Sequence, residues 1–279
     1  MGDFAISDIE TLIKLAIDED IRTGDVTGDA VFKKDEVSEA YIVSKDDGIF
    51  CGGFIPGYVY GYLDKSINCR TFFEDGSQIK KGDVVMEFNG PTIQLLSGER
   101  IVLNFMQRMC GIATETDRVV SQLKGSSIKI LDTRKTLPGF RLLDKYSVKT
   151  GGGTNHRMGL FDMVMIKDNH IKSAGSIAKA VALVRKRWNN FYKIEVETTT
   201  LDEVREAVQS GADIIMLDNM NREMMQEALK IIMKKAEVEI SGNMSAEKIT
   251  QLKDLDVDYI SIGALTHSVK AFDLSMKFR

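Results

Sequence analysis

Residues 192–219, YKIEVETTTLDEVREAVQSGADIIMLDN, contain the pattern that decides the fold. Two short apolar runs, at 192–198 and 212–219, flank an amphipathic stretch at 201–210. Val, Ile, Met and Leu fill the runs, which is typical of parallel strands that are buried on both faces. The stretch therefore predicts a strand, a helix and a second strand parallel to the first.

The same unit recurs from about residue 126 to the C-terminal region. Four further runs have this form: IKILDTRK (128–135), MVMIKDNH (163–170), VEISGN (238–243) and VDYISIGA (257–264). Amphipathic stretches between them predict helices over 173–188, 222–235 and 246–252. Such a series predicts either a (β/α) barrel short of the usual eight units or a doubly wound sheet, and the pattern alone does not separate the two.

The first hundred residues have a different pattern. A helix is predicted over 9–21, and the alternating runs 39–53 and 69–90 predict antiparallel strands joined by Asp-Gly, Gly-Gly and Asn-Gly turns. A long apolar helix over 92–123 connects this α+β domain to the following units, and the apolar end AFDLSMKFR (271–279) is expected to pack on it. The predicted domains are 1–110, with the tail 267–279, and 111–266.

Composition narrows the kind of partner. The 279 residues carry a net charge of −4 and are 43% hydrophobic, enough for a full core. A pI of about 5.6 argues against a nucleic-acid or anionic-membrane surface. Three cysteines in no metal-binding spacing indicate reduced thiols and a cytoplasmic protein. We expect a small-molecule partner, with no nucleic acid and no membrane.

Positive charge is concentrated in one stretch. Residues 129–172 contain nine Lys and Arg against four Asp, within a chain of net negative charge. Arg binds carboxylates and phosphates through a bidentate fork, and Lys binds them as a point charge. The stretch therefore predicts a pocket for a strongly anionic small molecule.

The predicted strands end in polar or small residues, where loops of parallel folds converge on one crevice. Those ends are Asp132, Arg134 and Lys135; Lys167, Asp168, Asn169 and His170; Glu195 and Glu197; Asp218 and Asn219; Ser241, Gly242 and Asn243; and Gly263 and Ala264. Paired acids can hold Mg²⁺ or sugar hydroxyls, and small residues expose backbone N–H groups to phosphate. Together they predict a site for a phosphorylated sugar beside an acidic co-substrate.

Four further residues need a decision between structure and function. A functional role is favoured for His156, while His170 and His267 are as well explained as surface histidines. Arg100 lies in a mostly apolar helix, where an unpaired Arg is costly, so an interface Arg that reaches a neighbour's site is a hypothesis.

Longer motifs resemble a known family. They are DEDIRTGDVTGDAVF, SGERIVLNFMQRMCGIAT, DTRKTLPGFRLLDKYSV, GGGTNHRMGLFDMVMIKDNH, ADIIMLDN, EISGN and YISIGALTHSVKAFDLSMKF. In order and length they are similar to the type II phosphoribosyltransferases that act on quinolinate with decarboxylation. The resemblance implies an α/β fold with an N-terminal α+β sandwich domain and an incomplete (β/α) barrel. It also implies a homodimer, or an assembly of dimers, whose sites lie between subunits.

The resemblance also implies residue roles. Arg134, His156, Arg157 and Lys167 match the pocket for the pyridine dicarboxylate, with Arg100 contributed by the partner chain. Lys135, Glu197 and Asp218 match the catalytic residues that handle phosphoribosyl pyrophosphate (PRPP), with Glu197 and Asp218 near Mg²⁺. Ser241, Gly242, Asn243, Gly263 and His267 match the region that receives the 5′-phosphate. The implied activity converts quinolinate and PRPP into nicotinate mononucleotide, pyrophosphate and carbon dioxide, a step of NAD biosynthesis.

Three alternatives stay open on the sequence. A barrel lyase could use Lys167 as a Schiff base, since a lysine at a strand end can act in this way. A paralogous group linked to molybdenum transport resembles the same family. A binding protein would hold an anionic metabolite without turnover.

Overall fold

The computed structural model describes residues 7–242, 244 and 246–279, without the side chains of Ala246 and Glu247. These residues form two compact units. The first comprises the chain through Asp117 together with Thr136–Gly152 and Leu265–Arg279, and the second comprises Arg118–Lys135 and Gly153–Ala264. Residues 136–152, which the sequence groups with the barrel, cluster with the first unit.

The elements alternate between short strands and helices. The strands are β1 (Val37–Ser44), β2 (Gly48–Ile49), β3 (Asn68–Thr71), β4 (Gln78–Ile79), β5 (Val84–Pro91), β6 (Lys129–Leu131), β7 (Val164–Ile166), β8 (Ile194–Thr198), β9 (Ile214–Asp218), β10 (Glu237–Ser241), β11 (Tyr259–Ser261) and β12 (Leu274–Phe278). The helices are α1 (Ser7–Asp20), α2 (Val26–Val31), α3 (Ile55–Leu63), α4 (Thr92–Gln122), α5 (Arg141–Thr150), α6 (Asp168–Ala174), α7 (Ile177–Trp188), α8 (Leu201–Gln209), α9 (Arg222–Ile232), α10 (Ala246–Gln251) and α11 (Ala264–His267). No helix in the described part of the chain has the length and apolarity needed to cross a membrane.

The first unit contains a four-stranded antiparallel sheet in the order β12-β1-β5-β3. The apolar C-terminal run forms β12 and pairs with β1. The predicted Asn-Gly turn at 89–90 is wrong, because both residues lie inside β5 and pair with β1. Gly90 is needed there for packing, since a Cβ would lie 2.6 Å from a side-chain atom of Ile67.

Apolar side chains from α1, α3, α4 and the sheet form the core of this unit. The fully buried Tyr60 of α3 donates a hydrogen bond to the backbone oxygen of Leu95, 3.0 Å away. The sequence does not predict α3, because its apolar residues follow a Gly-Gly pair that is typical of a hairpin. α5 escapes it because its cations are typical of a binding loop.

The second unit contains a six-stranded parallel sheet in the order β6-β11-β10-β9-β8-β7. Consecutive strands from β7 to β11 are neighbours, and the first strand, β6, lies beside the last, β11, so that β6 and β7 are the two edges of the sheet. This cyclic order belongs to a barrel and not to a doubly wound sheet, whose order reverses at a switch point. The predicted mixed α/β fold with an incomplete barrel is confirmed.

Local sequence sets the helix starts in the second unit. Thr200 and Glu203 form a capping box at the start of α8, and Asn221 caps α9 by accepting from the Met224 N–H. The predicted helix over 173–188 is instead two helices, because Gly175 has a φ of +94° and ends α6. Each cap brings the chain back across the sheet, so that successive strands end at the same edge.

Candidate functional site

Polar residues recur on one face of the parallel sheet. The pairing register puts five of them in the same phase: Glu195 and Glu197 of β8, Asp218 of β9, and Glu239 and Ser241 of β10. Side chains alternate between the faces of a strand, so these five positions point to the same side. An acidic layer therefore lines this face in the second unit.

The strand ends add cations to this face. Arg134 and Lys135 follow β6, and Lys167 follows β7 directly. Lys167 Nζ forms an ion pair with Glu197, and its side chain remains 41% exposed. The structure thus places a cation from the end of β7 next to a carboxylate of the neighbouring strand β8.

The segment that follows α5 lies along the free edge of β6. Thr154 forms a parallel bridge with Leu131, and its N–H donates to the Ile130 oxygen at 2.8 Å. The fully buried Asp132 then accepts from the His156 N–H at 2.9 Å and from Asn155 Nδ2 at 2.6 Å. Asp132 thereby anchors the backbone from which the side chains of His156 and Arg157 project.

Arg157 is held close to a second guanidinium. Its Nη1 donates to the Met163 oxygen at 3.2 Å, and its Nη2 lies 3.6 Å from Met165 Sδ. Burial, followed by repulsion from Arg134, lowers the pKa of Arg157. Two guanidinium groups that repel each other are stabilised when an anion binds between them, so this pair is suited to a carboxylate or a phosphate.

His156 lies in a buried cluster with two carboxylates. Its side chain is 6% exposed, and its Nε2 is 3.0 Å from Glu195 Oε2 and 3.3 Å from Glu239 Oε2. Burial alone would lower the pKa of His156, but hydrogen bonds to Glu195 and Glu239 outweigh it and raise the pKa to about 9. Burial raises the pKa of Glu195 to about 7, against the opposing effect of His156. Near neutral pH the three side chains therefore bind more protons than a neutral imidazole and two ionised carboxylates would.

The contacts of the ring show which nitrogen faces the carboxylates. His156 Nδ1 lies 2.6 Å from the Arg157 backbone nitrogen, and Nε2, which carries a hydrogen, faces Glu195 and Glu239. The three side chains lie within 4.8 Å of one another, as metal ligands do, but a protonated Nε2 has no lone pair for a metal.

The residues predicted to receive the phosphate do not all lie in the same unit. Ser241 ends β10, and Gly242 follows it with a φ of +133°, where a Cβ would lie 2.6 Å from Asn219 Oδ1. Glycine is therefore required at this turn. Gly263 follows β11 in the same unit. Asn243 lies outside the described residues.

Two predicted residues belong to the first unit. Arg100 is on α4 with its side chain 60% exposed, 3.8 Å from Glu99. His267 ends α11 and is exposed, with Nδ1 2.7 Å from Ser268 Oγ.

His170 has a structural role at the start of α6, because its Nδ1 accepts from the Lys167 N–H at 3.0 Å. Gly151 and Gly152 end α5.

Sequence reasoning missed Glu239 and undervalued Glu195. Both are fully buried, and the oxygens Oε1 of both have no hydrogen-bond partner within the described residues. The available signal was the interruption of two apolar runs by a carboxylate at positions that face the core. A buried carboxylate is costly, so each such interruption indicates a partner.

Comparison with known proteins identifies the family. The profile described as "Quinolinate phosphoribosyl transferase, C-terminal domain" matches residues 112–277, and the corresponding N-terminal domain matches residues 25–110. The chain belongs to the quinolinate phosphoribosyltransferase family. The family resemblance of the sequence motifs is thus confirmed.

Members of this family resemble the chain over nearly its whole length. A protein of Bacillus subtilis, named probable nicotinate-nucleotide pyrophosphorylase (carboxylating), is 45% identical and covers 92% of this chain and 89% of its own. The chloroplastic nicotinate-nucleotide pyrophosphorylase of Arabidopsis thaliana is 44% identical and covers 97% of this chain and 82% of its own. The crystal structure of NadC from Streptococcus pyogenes, 38% identical, superposes with a TM-score of 0.95 and covers 99% of this chain and 98% of its own.

Proposed function

We propose that this quinolinate phosphoribosyltransferase family member transfers the phosphoribosyl group of PRPP to quinolinate with loss of carbon dioxide. The observation that carries the proposal is the arrangement of the parallel sheet. Cations follow β6 and β7, and carboxylates end β8 and β9. One half of this face suits a dicarboxylate, and the other suits a sugar that develops positive charge.

The cations form the proposed quinolinate pocket. Arg134 and Arg157 provide two forks close enough to repel each other, which suits two carboxylates on adjacent ring carbons. Lys167, from the neighbouring strand end, adds a third charge. Arg100 is proposed to reach this pocket from the partner subunit of a homodimer, and its exposure on α4 agrees with that role. His156 lies in the wall of the pocket.

The acids and small residues form the proposed PRPP site. Glu197 and Asp218, on one face of neighbouring strands, bind the ribose hydroxyls, and Lys135 binds the pyrophosphate. Ser241, Gly242, Asn243 and Gly263 receive the 5′-phosphate. Carboxylate oxygens are the ligands that Mg²⁺ prefers, so Glu197 and Asp218 also fit this ion. When bound, Mg²⁺ would neutralise the charge of the pyrophosphate.

The proposed reaction needs little proton transfer. The ring nitrogen of quinolinate donates its electron pair to C1 of the ribose, and the bond to pyrophosphate breaks with its electron pair. Glu197 and Asp218 stabilise the positive charge that develops on the sugar. The ring nitrogen then carries a positive charge, so the bond to the adjacent carboxylate breaks, carbon dioxide leaves, and a proton from water replaces it. Positioning and electrostatics therefore provide the rate.

Two of the three alternatives, the lyase and the binding protein, receive less support from the site. A Schiff-base lysine works as a neutral amine in a desolvated pocket. Lys167 is instead paired with Glu197 and well exposed. A binding protein for an anionic metabolite would need the cations but not the acids that end β8 and β9. The named relatives are pyrophosphorylases, which favours turnover over binding.

The cellular compartment is proposed to be the cytoplasm. Cys51, Cys69 and Cys110 are free thiols, and Cys51 and Cys110 are buried without a disulfide between them. Free thiols persist in reducing compartments.

The test is release of pyrophosphate from PRPP and Mg²⁺, with quinolinate or nicotinate as the acceptor. Turnover with quinolinate alone, with one carbon dioxide released for each pyrophosphate, is the expected result. Turnover with nicotinate would contradict the dicarboxylate pocket. Absence of turnover with either acceptor, despite binding of PRPP measured by calorimetry, would favour the binding protein.

A further inference from the structure

A groove on the second unit is lined by aromatic and basic side chains that the proposed reaction does not use. It lies where α7 ends and the chain turns into β8, and it has a volume of about 620 Å³. Its lining residues are Arg187, Trp188, Asn189, Phe191 and Tyr192. The proposed active site lies where the parallel strands end, whereas this groove adjoins the beginning of β8. The groove is therefore separate from the carboxylates that end β8 and β9.

Two aromatic rings of the groove are open to solvent. Phe191 is 78% exposed and Trp188 is 44% exposed. The partly buried Tyr192 meets both rings nearly at right angles, with its centroid 4.7 Å from that of Phe191 and 5.5 Å from that of Trp188. Edge-to-face contacts of this kind hold aromatic rings in place. Exposed aromatic rings that are fixed in this way form a surface on which a planar ligand can stack.

Arg185 holds the backbone of the groove in place. Its guanidinium donates to the Tyr192 oxygen at 3.3 Å and to the Gly211 oxygen at 3.2 Å. It also pairs with Asp213 at 2.7 Å, and the same carboxylate oxygen accepts from the Ile194 N–H at 2.6 Å. The loop is thus tied to the beginning of β8. Because the groove is formed before a ligand arrives, the cost of binding is reduced.

Two cations border the groove without a carboxylate partner. Cζ of Arg187 lies 4.9 Å from the centroid of the Trp188 ring, and the exposed Lys186 precedes it in the last turn of α7. The neighbouring cations Arg185 and Lys193 are paired with carboxylates, whereas no ion pair joins Arg187 or Lys186 to another described residue. Exposed positive charge beside aromatic rings suits a planar ring that carries anionic groups.

We propose that this groove binds a nucleotide. The base lies against Trp188 and Phe191, and the phosphates contact Arg187 and Lys186. The volume exceeds that of a single pyridine ring and lies in the range of small-molecule pockets. Stacking requires only a flat face of the base, and Arg and Lys supply the positive charge that phosphates bind. The site does not depend on the proposed activity, since it shares no residue with the proposed sites for quinolinate and PRPP.

Trp188 gives a direct signal from the groove, because it is the only tryptophan of the chain. The test is a titration with ATP, with fluorescence excited at the red edge of tryptophan absorption, where adenine does not absorb. We expect saturable quenching with a Kd on the order of 0.1–1 mM, the affinity of one stacked base with two phosphate contacts. N-acetyltryptophanamide, which is quenched only by collision, is the reference. Quenching of the protein that is as linear as that of the reference would overturn the proposal.

Two reference ligands separate the base from the phosphates. Adenosine supplies the base without charge, and tripolyphosphate supplies the charge without a base. We expect each of them to bind about tenfold or more weakly than ATP, because each lacks one set of contacts. Tripolyphosphate with the Kd of ATP would mean that the groove binds an anion without stacking. Adenosine with the Kd of ATP would mean that the cations take no part, and either result would overturn the proposal.

Two substitutions test the same two contacts from the side of the protein. Phe191→Leu removes an aromatic face and Arg187→Gln removes a charge, so each should raise the Kd for ATP about tenfold. Arg187→Gln should keep the Kd for adenosine within about twofold. Arg70→Gln is the matched control, because Arg70 also lies 4.9 Å from the ring centroid of an exposed residue, Phe72. An equal loss of affinity in Arg70→Gln would mean binding to surface charge in general, and would overturn the groove.

A second copy of the chain is the competing occupant. Sedimentation of the wild-type protein, Arg187→Gln and Phe191→Leu should show the same state of assembly. A smaller assembly in the two variants would mean that another subunit covers the groove, and would overturn the nucleotide site. If Phe191→Leu does not fold, as judged by circular dichroism, Arg187→Gln and the two reference ligands give the answer.

Discussion

The two units bury charge in opposite ways. In the first unit, Asp144 of α5 accepts two hydrogen bonds from Arg108 of α4, at 2.8 and 2.7 Å, and Arg108 also donates to the Thr266 oxygen at 3.0 Å. In the second unit, Glu195 and Glu239 lie beside His156 with an oxygen of each left without a hydrogen bond among the described residues. A satisfied buried pair holds a scaffold together, whereas a cluster with spare acceptors controls protons and the position of its neighbours.

Breaking the satisfied pair has the largest expected effect. Asp144→Ala leaves the guanidinium of Arg108 partly buried without its carboxylate, and should lower the free energy of unfolding by about 3–5 kcal/mol. Urea unfolding measures the loss. The double variant Arg108→Met/Asp144→Leu is the control, because an apolar pair of similar volume should recover most of it. Recovery of the free energy of unfolding in the double variant would show that the pair stabilises the scaffold. A double variant that is fully active but as unstable as Asp144→Ala would contradict this.

Removing a charged side chain at the strand ends should affect turnover and not folding. Glu197→Ala, and likewise Lys135→Ala, should lower kcat by about 10²–10³, the usual worth of one electrostatic group in a transition state. Steady-state kinetics with quinolinate and PRPP measures this, with Tm as the check on folding. Glu227→Ala removes an exposed ion pair with Lys230 and serves as the control without effect. Wild-type turnover in both Glu197→Ala and Lys135→Ala would discredit their roles.

The buried cluster should make stability depend on pH. The pKa of Glu195, about 7 when folded, is above its ordinary value of 4.5, so its contribution to stability is complete below about pH 4.5. That contribution is lost as the pH rises through 7, and the raised pKa of His156 acts in the same direction up to about pH 9. Calorimetry should therefore show that Tm falls from pH 5 to pH 9. The corresponding loss in the free energy of unfolding is on the order of 1–3 kcal/mol. Glu195→Gln should flatten this slope, and an unchanged slope would place the protons elsewhere.

Arg100 and Arg108 lie on the same helix but differ in burial. Arg108 is paired and largely buried, whereas Arg100 is exposed, so Arg100→Ala should leave Tm unchanged. If the partner subunit supplies Arg100 to the site, the KM for quinolinate should rise about tenfold, the worth of one charge-assisted hydrogen bond.

Hybrid dimers give the decisive form of this last measurement. Mixing Arg100→Ala with Glu197→Ala, after dissociation and reassociation, creates dimers in which one site carries both changes and the other carries neither. At quinolinate concentrations well below the KM, activity above the mean of the two parent proteins is expected. Activity equal to that mean would place Arg100 in its own subunit's site, or outside any site.

The strand ends were accessible to prediction because their periodicity and charge are local properties. The runs that end in Lys167, Glu197 and Asp218 are each visible within ten residues, and in parallel folds such ends meet at one edge. Helix α5 could not be predicted from the sequence, because Arg141, Lys145 and Lys149 are as typical of an anion-binding loop as of a helix. The Asn89-Gly90 turn failed because the need for glycine came from the packing of Ile67, which is distant in sequence.

By itself, the sequence determined the alternation of strands and helices, the polar ends of the strands and, through its long motifs, the family. These properties follow from hydrophobic periodicity and from residue chemistry at fixed spacing, which need no knowledge of distant contacts. Only the tertiary structure decided between a barrel and a doubly wound sheet, since β6 meets β11 across more than a hundred residues. It alone also brought Glu195 and Glu239 to the ring of His156, because pairing between strands sets which buried side chains share a proton.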